Sequence, residues 1–109
     1  MAEAPAVMNF DTDFIGRIRF RCGIAVEAYD EPEIKPLVKD ALSDMLTAGV
    51  PSELIETAYT ENPDPRIESA IVFYVQAFRG SDRSDTTRYL KYYHDKVFKL
   101  SLEPETEVV

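Results

Sequence analysis

The run DPRIESAIVFYVQAFRG, residues 64–80, constrains this chain more than any other stretch. Its ends are marked. Asp64 can accept hydrogen bonds from the first free N–H groups of a helix, and Pro65 suits the first helical position because its missing N–H costs nothing there. Glu68 puts negative charge near the positive end of the helix dipole. Gly80 can take the left-handed conformation that closes a helix. Between these ends Ile67, Ala70, Ile71, Tyr74 and Phe78 form one stripe at helical spacing. Val72, Phe73, Val75 and Ala77 widen the stripe almost to the full circumference, and such a helix must be surrounded by other elements. The run is too short to cross a bilayer, so those surroundings are protein.

Two further helices read clearly. Ile34, Leu37, Val38, Ala41, Leu42, Met45 and Leu46 repeat at three and four, predicting a helix over residues 32–48. Asp30 is its expected cap, with Glu31 and Glu33 in the first turn. Pro36 falls early, where proline costs least, and Gly49 with Pro51 ends the helix. The last helix is predicted to open on Ser84 as cap and to run on a Leu90, Tyr93, Val97, Leu100 seam, with Tyr89 and Tyr92 beside it. A first helix starts near Asp11, with Phe10 and Ile15 placed for a hydrophobic staple. Its face is Phe14, Ile15, Ile18 and Cys22, closed by Gly23. The alternation Ile18-Arg-Phe-Arg-Cys is also a strand signal, but the flanking cap and glycine favour helix. Residues 51–63 form an acidic connection long enough to be either disordered or functional, in which Ser52 could cap a short turn through Ile55 and Ala58. The expected fold is all-α, a small bundle of about four helices with a long acidic loop between the second and third main helices and extended termini. Residues 1–9 read as a flexible arm, 10–102 as the helical domain and 103–109 as a tail.

Charge is placed unevenly. The net charge is −8 over 109 residues, and all of it lies in residues 25–64, where ten acids meet only Lys35 and Lys39. That field repels phosphates and argues against gripping nucleic acid. It is compatible with lining a path along which DNA slides. A single cysteine, Cys22, excludes an internal disulfide or a cysteine-built zinc site. With no basic-then-apolar leader at the start, a cytoplasmic, reducing setting is expected.

Little looks catalytic. His94 is the only histidine, with no second imidazole for a metal and no partner for a dyad. Cys22 reads as a buried, inert thiol. Asp40 and Asp44, one turn apart on a polar face, read as solvating charges. The four glycines are scattered, so no phosphate-cradling loop is present. Arg17, Arg19 and Arg21 are read as solvated or paired to the acidic middle, in preference to a phosphate site. The most suggestive surface is the cluster Arg83, Arg88, Tyr89, Lys91, Tyr92, Tyr93, Lys96 and Lys99. A protein interface and a core-plus-solvated face explain it equally well. Nucleic-acid binding ranks below both, because Asp82, Asp85 and Asp95 are interleaved.

The last 45 residues carry a resemblance. The pattern DPxIxxAIxxYVxAxxG, then a polar turn, then (S/A)xxxRYxxxYxxxxxxLxLE, resembles the small head–tail connector (head-completion or adaptor) proteins of long-tailed bacteriophages. The matching residues are Asp64, Pro65, Ile67, Ala70, Ile71, Tyr74, Val75, Ala77 and Gly80, then Arg88, Tyr89, Tyr93, Leu100, Leu102 and Glu103. DEPEIKPLVKDALSDMLTAGV is similar to that family's DDxEIxxLIxAAxxDLxxAGI, and IRFRCGI stands where the family has a short helix ending in LRI. The resemblance implies a non-enzymatic, all-α virion protein of the neck between capsid and tail, made in the host cytoplasm and needing no cofactor or metal. It implies a homo-oligomeric ring, typically twelvefold, beneath the portal protein. The ring extends the DNA channel and docks a stopper or tail-completion protein; genomic DNA passes without specific binding and no membrane is involved. On that reading Glu53, Glu56 and Glu61 are the expected channel-facing residues. Arg17, Arg19, Arg21, Arg88, Tyr89, Lys91, Tyr92, Lys99, Leu102, Val108 and Val109 are the expected subunit or portal contacts. The alternative function is a small helical nucleic-acid-binding regulator using the last helix.

Overall fold

The computed structural model describes residues 10, 12–79 and 83–103. Among them there are helices and turns and no strand. Five α-helices follow one another: α1 (Thr12–Arg21), α2 (Lys35–Thr47), α3 (Ser52–Glu56), α4 (Pro65–Arg79) and α5 (Arg83–Ser101). None is long and apolar enough to cross a membrane.

α4 is the centre. Asp64 Oδ1 accepts from the Arg66 backbone N–H at 2.8 Å, and Pro65 takes the first helical position, so the helix starts where its sequence marks it. Ile67, Ala70, Ile71, Val72, Val75 and Ala77 are buried. α5 returns antiparallel beside it. Tyr74 meets Tyr93 edge-on at 5.1 Å, while Arg66 at the start of α4 pairs with Glu103 just beyond α5. α2 packs on another side of α4, and α1 on a third with Phe14 and Ile18 fully buried. Tyr93 ties α5 to α2. Its hydroxyl donates to Asp44 Oδ2 at 2.7 Å and lies 3.3 Å from the Ala41 carbonyl. Burial, reinforced by the Asp44 carboxylate, pushes the phenol above its ordinary range and keeps it a donor.

Gly23 and Gly49 close α1 and α2 in the left-handed region, at φ 79° and 103°. Each carries the paired bonds of a Schellman ending: Ile24 N to Arg19 O with Gly23 N to Phe20 O, and Val50 N to Met45 O with Gly49 N to Leu46 O. Gly80, expected to close α4, lies outside the described residues, as does Asp11. Phe10 stacks on Tyr59 at 4.6 Å and leans on Phe14 at 5.7 Å.

Several expectations are corrected. The acidic connection is not a loop. It folds as α3 and a 3-10 turn, Thr57–Tyr59, with Ile55 and Ala58 buried, so the chain has five helices where about four were expected. Two threonines lock it: Thr57 Oγ1 donates to Leu54 O and accepts from Asp64 N, and Thr60 Oγ1 donates to Thr57 O and accepts from Asn62 N. Ser52 is the first helical residue of α3 and makes no cap; Pro51 stands in the cap position. α5 begins one residue before Ser84, which therefore lies inside its first turn. Asp30 does not cap α2, because its carboxylate is taken by Arg19. The approach to α2 is a 3-10 turn, Glu27–Tyr29, and a π-helical turn, Asp30–Ile34. Pro36 explains the wide turn: it has no N–H for the carbonyl four residues back, and its ring crowds that carbonyl. Phe78, placed in the buried stripe of α4, is 51% exposed.

Tyr93→Phe keeps the buried ring and deletes only the donor to Asp44, whose carboxylate stays hydrated. The expected cost is about 1 kcal/mol. Denaturant titration should show a lower midpoint at unchanged slope.

Candidate functional site

Two surfaces hold the residues singled out by sequence, and the structure treats them differently. At α1 the arginines are turned inward to partners. Glu68 is buried on α4, and its carboxylate is shared: Arg17 Nη2 donates to Oε1 at 3.0 Å and Arg21 Nη1 to Oε2 at 3.0 Å. Burial opposes the charge on Glu68, but the hydrogen bonds and positive charges of Arg17 and Arg21 outweigh it, so the carboxyl titrates below its ordinary value of 4.5. Arg19 is enclosed. Its Nε donates to Asp30 Oδ1 at 2.7 Å and its Nη1 to the Ile24 and Ala25 carbonyls, stitching the 23–31 segment to α1. Arg79 clamps the same segment from α4, donating to Glu33 at 2.8 Å and lying over the Tyr29 ring. Arg17 and Arg21 keep nearly half of their side-chain surface in water, so they can serve the fold and an outer contact together; Arg19, at 16%, serves the fold.

The second surface is α5. One side of the helix is core: Tyr93, Val97 and Leu100 are buried. Tyr89 is half-buried and Tyr92 is 43% exposed, both packed against Phe73 of α4. The Arg88 guanidinium lies over the Tyr89 ring at 5.1 Å. The opposite side, at helical spacing, presents Arg88, Lys91, Tyr92, Asp95, Phe98, Lys99 and Leu102. Lys91 and Asp95 pair loosely at 3.7 Å, both well exposed. Phe98 and Leu102 are 64% and 66% exposed. The outer face of α5 thus combines exposed apolar side chains with lysines.

The acids sort in the same way. Asp30, Glu31, Glu33 and Asp64 are ion-paired and Asp44 holds Tyr93. Glu53 and Glu56 stand exposed on α3, and Glu61 stands exposed in the turn that leads to α4. These three make no hydrogen bond or ion pair with another described residue. Val108 and Val109 lie outside the described residues.

Sequence reading missed three features. Glu68 was assigned to the helix dipole, although a lone acid on an otherwise apolar helix signals a buried partner, and Arg17 and Arg21 are spaced by four to supply it. Phe98 was overlooked because it falls just off the Tyr93–Val97–Leu100 line. Phe20, 78% exposed between Arg19 and Arg21, falls off the Phe14–Ile18 line in the same way.

Cys22 is half-buried with its Sγ 3.8 Å from the Val72 carbonyl. Burial pushes the thiol up to about 11 against the pull of Arg21 and Arg79, so it is no thiolate nucleophile at neutral pH. His94 is exposed at the edge of the Tyr93 ring. No group of three His, Cys, Asp or Glu able to hold a metal occurs among the described residues. The open groove of about 720 Å³ between α1 and the 23–31 segment is lined by Arg17, Arg19 and Arg21, already bonded to Glu68 and Asp30. No family model, characterised protein or solved structure matches the chain.

Glu68→Gln removes the shared charge and leaves two guanidinium groups half-served; the expected loss at neutral pH is about 1–2 kcal/mol. Because the folded carboxyl titrates low, its contribution is whole above about pH 5 and fades as the pH falls through the folded value. Stability curves of the parent and variant should therefore converge on acidification; a constant gap would show that the charge is not what Glu68 contributes.

Proposed function

We propose that this chain is a structural head–tail connector of a long-tailed bacteriophage, forming a homo-oligomeric ring under the portal protein, extending the DNA channel and docking a stopper or tail-completion protein. The observation that carries this reading is the ordered pattern of the α4–α5 region. Asp64 and Pro65 open α4, its Ile67, Ala70, Ile71 and Val75 are core, and the Tyr89 and Tyr93 of α5 pack back on it. Those are the positions on which the resemblance rests. The surface supports it in a second way. A ring needs two unlike sticky faces on each subunit, and this chain exposes Phe20 with Arg17 and Arg21 on α1, and Phe98 and Leu102 with lysines on α5.

In this reading the protein acts by shape and charge, with no reaction step. The wall of a DNA channel should repel phosphate, and Glu61, exposed on the turn entering α4, is the acid best separated from a packed helix face. The nucleic-acid-binding alternative draws on the lysines of α5, against a chain whose net charge is −8. Low-salt polarisation with duplex DNA separates the two: a regulator binds with a steep salt slope, a connector does not bind.

A ring repeats each side chain in every subunit, so one substitution recharges the whole wall. Glu61→Lys should leave particle assembly intact and slow DNA ejection several-fold. Ring formation itself is read by light scattering and negative-stain microscopy of the purified chain, alone and mixed with the portal of its parent phage. A chain that remains monomeric in both would overturn the proposal.

A further inference from the structure

The outer face of α5 and the face of α3 are two charged surfaces turned to solvent, and they are opposite in sign. On α5, Arg88, Lys91 and Lys99 outnumber Asp95, and Tyr92, Phe98 and Leu102 stand exposed among them. On α3, Glu53 and Glu56 are exposed one turn apart, and no hydrogen bond or ion pair to a described residue holds either of them. Leu46, 52% exposed, precedes them at the end of α2. Neither surface is needed to hold the monomer together. α3 is seated on α2 through the other side of its single turn and a half, by Ile55, and α5 is seated on α4 and α2 by Tyr93, Val97 and Leu100.

No ion pair joins the two faces within the described residues of one chain. The lysines lie on the side of α5 turned away from the core, and α3 packs on α2. A second copy of the chain, however, brings an α3 that is free to meet that outer side. We propose that the outer face of α5 of one copy docks on the α3 face of the next, with Lys91 and Lys99 set against Glu53 and Glu56, and with Phe98 and Leu102 covered beside Leu46. The contact is head-to-tail: each copy gives its α5 to one neighbour and its α3 to the other. This pairing rests on the ring reading above and specifies its seam. It moves Glu53 and Glu56 from the channel wall into the subunit contact, leaves Glu61 to the wall, and replaces the α1 face as the second side of the seam, so that Phe20, Arg17 and Arg21 are left to the portal or stopper. It also accounts for the charge of the α3 segment: opposite charges placed across a contact set its register and exclude wrong pairings, while the apolar groups between them supply the burial.

A charge exchange tests it. One variant carries Lys91→Glu and Lys99→Glu; a second carries Glu53→Lys and Glu56→Lys; a third carries all four. Every position is exposed, and helical circular dichroism checks that each variant folds. Self-association is read by sedimentation velocity over a wide concentration range at low salt. The parent should associate. Each double variant alone should associate at least tenfold more weakly, because acid then faces acid or base faces base. An equimolar mixture of the two double variants should recover association, and so should the fourfold variant, because every seam again joins opposite charges. A parent that associates but ignores the reversals overturns this pairing and leaves the ring reading standing. Double variants that weaken without rescue in the mixture also overturn it, since the two faces then do not meet. A parent that stays monomeric at every concentration overturns this pairing, and the ring reading falls with it only if the mixture with the portal also forms no ring.

Discussion

A helix of fifteen residues with apolar side chains on most of its circumference is unstable unless other elements cover it from several sides, and α4 imposes that requirement on the whole chain. α5 covers one side, α2 another and α1 a third. The polar groups of these partners are then placed by how each partner must lie. Tyr93 cannot be buried between α4 and α2 without an acceptor for its hydroxyl, and Asp44 supplies it. α1 cannot approach the first half of α4 without meeting Glu68, and Arg17 and Arg21 meet it. Each of these contacts fixes the rotation of one helix about its axis. The apolar stripes alone would tolerate slippage that the directional bonds do not.

That division explains what could be read in advance. α2, α4 and α5 were legible because a helix with one apolar face announces itself by spacing, and Asp64, Gly23 and Gly49 mark ends by chemistry that is local. α3 was legible only as a short turn through Ile55 and Ala58 within an acidic loop, for a physical reason. It is five residues long and too short to show a period; what orders it is the burial of Ile55 and Ala58 and the Thr57 and Thr60 bridges, which appear only once Asp64 has been placed. The π turn before α2 was written in the Pro32 and Pro36 pair, whose spacing of four puts a ring against a carbonyl, but that signal is a clash and not a pattern. The site residues divide on the same line. The exposed lysines of α5 were found because exposure on an amphipathic helix is periodic. The pairing of Arg19 with the acidic middle was within reach of the charge pattern; that of Arg17 and Arg21 was not, because Glu68 reaches them from α4, far along the chain.

The acidic middle of the chain looks in sequence like one feature with one role, and in three dimensions it is two populations. Asp30, Glu33 and Asp64 are spent on the fold, each neutralising an arginine that holds segments together. Glu53, Glu56 and Glu61 are not. Charges that pair internally add little to the field outside, because their partner cancels them within a few ångströms; charges left unpaired dominate it. The outward electrostatic face of the protein is therefore set by fewer residues than its net charge suggests; of these Glu53, Glu56 and Glu61 cluster on α3 and the turn after it, while Glu27, Asp40 and Asp44 stand exposed before and along α2.

Such a cluster has a cost that matters for what the chain can be. Like charges on one short helix repel and weaken it, and nothing within the described monomer offsets that repulsion. The same residues could have been neutral without loss to the core, which Ile55 and Ala58 secure from the opposite side. The exposed Phe98 and Leu102 on α5 pose the matching problem in apolar form: they contribute nothing to the interior and increase the risk of unspecific association. Both are liabilities for a protein that works alone. They become useful together if the apolar pair requires a partner and the acids select which one, and a repeating assembly of one chain is the simplest arrangement in which each copy carries both.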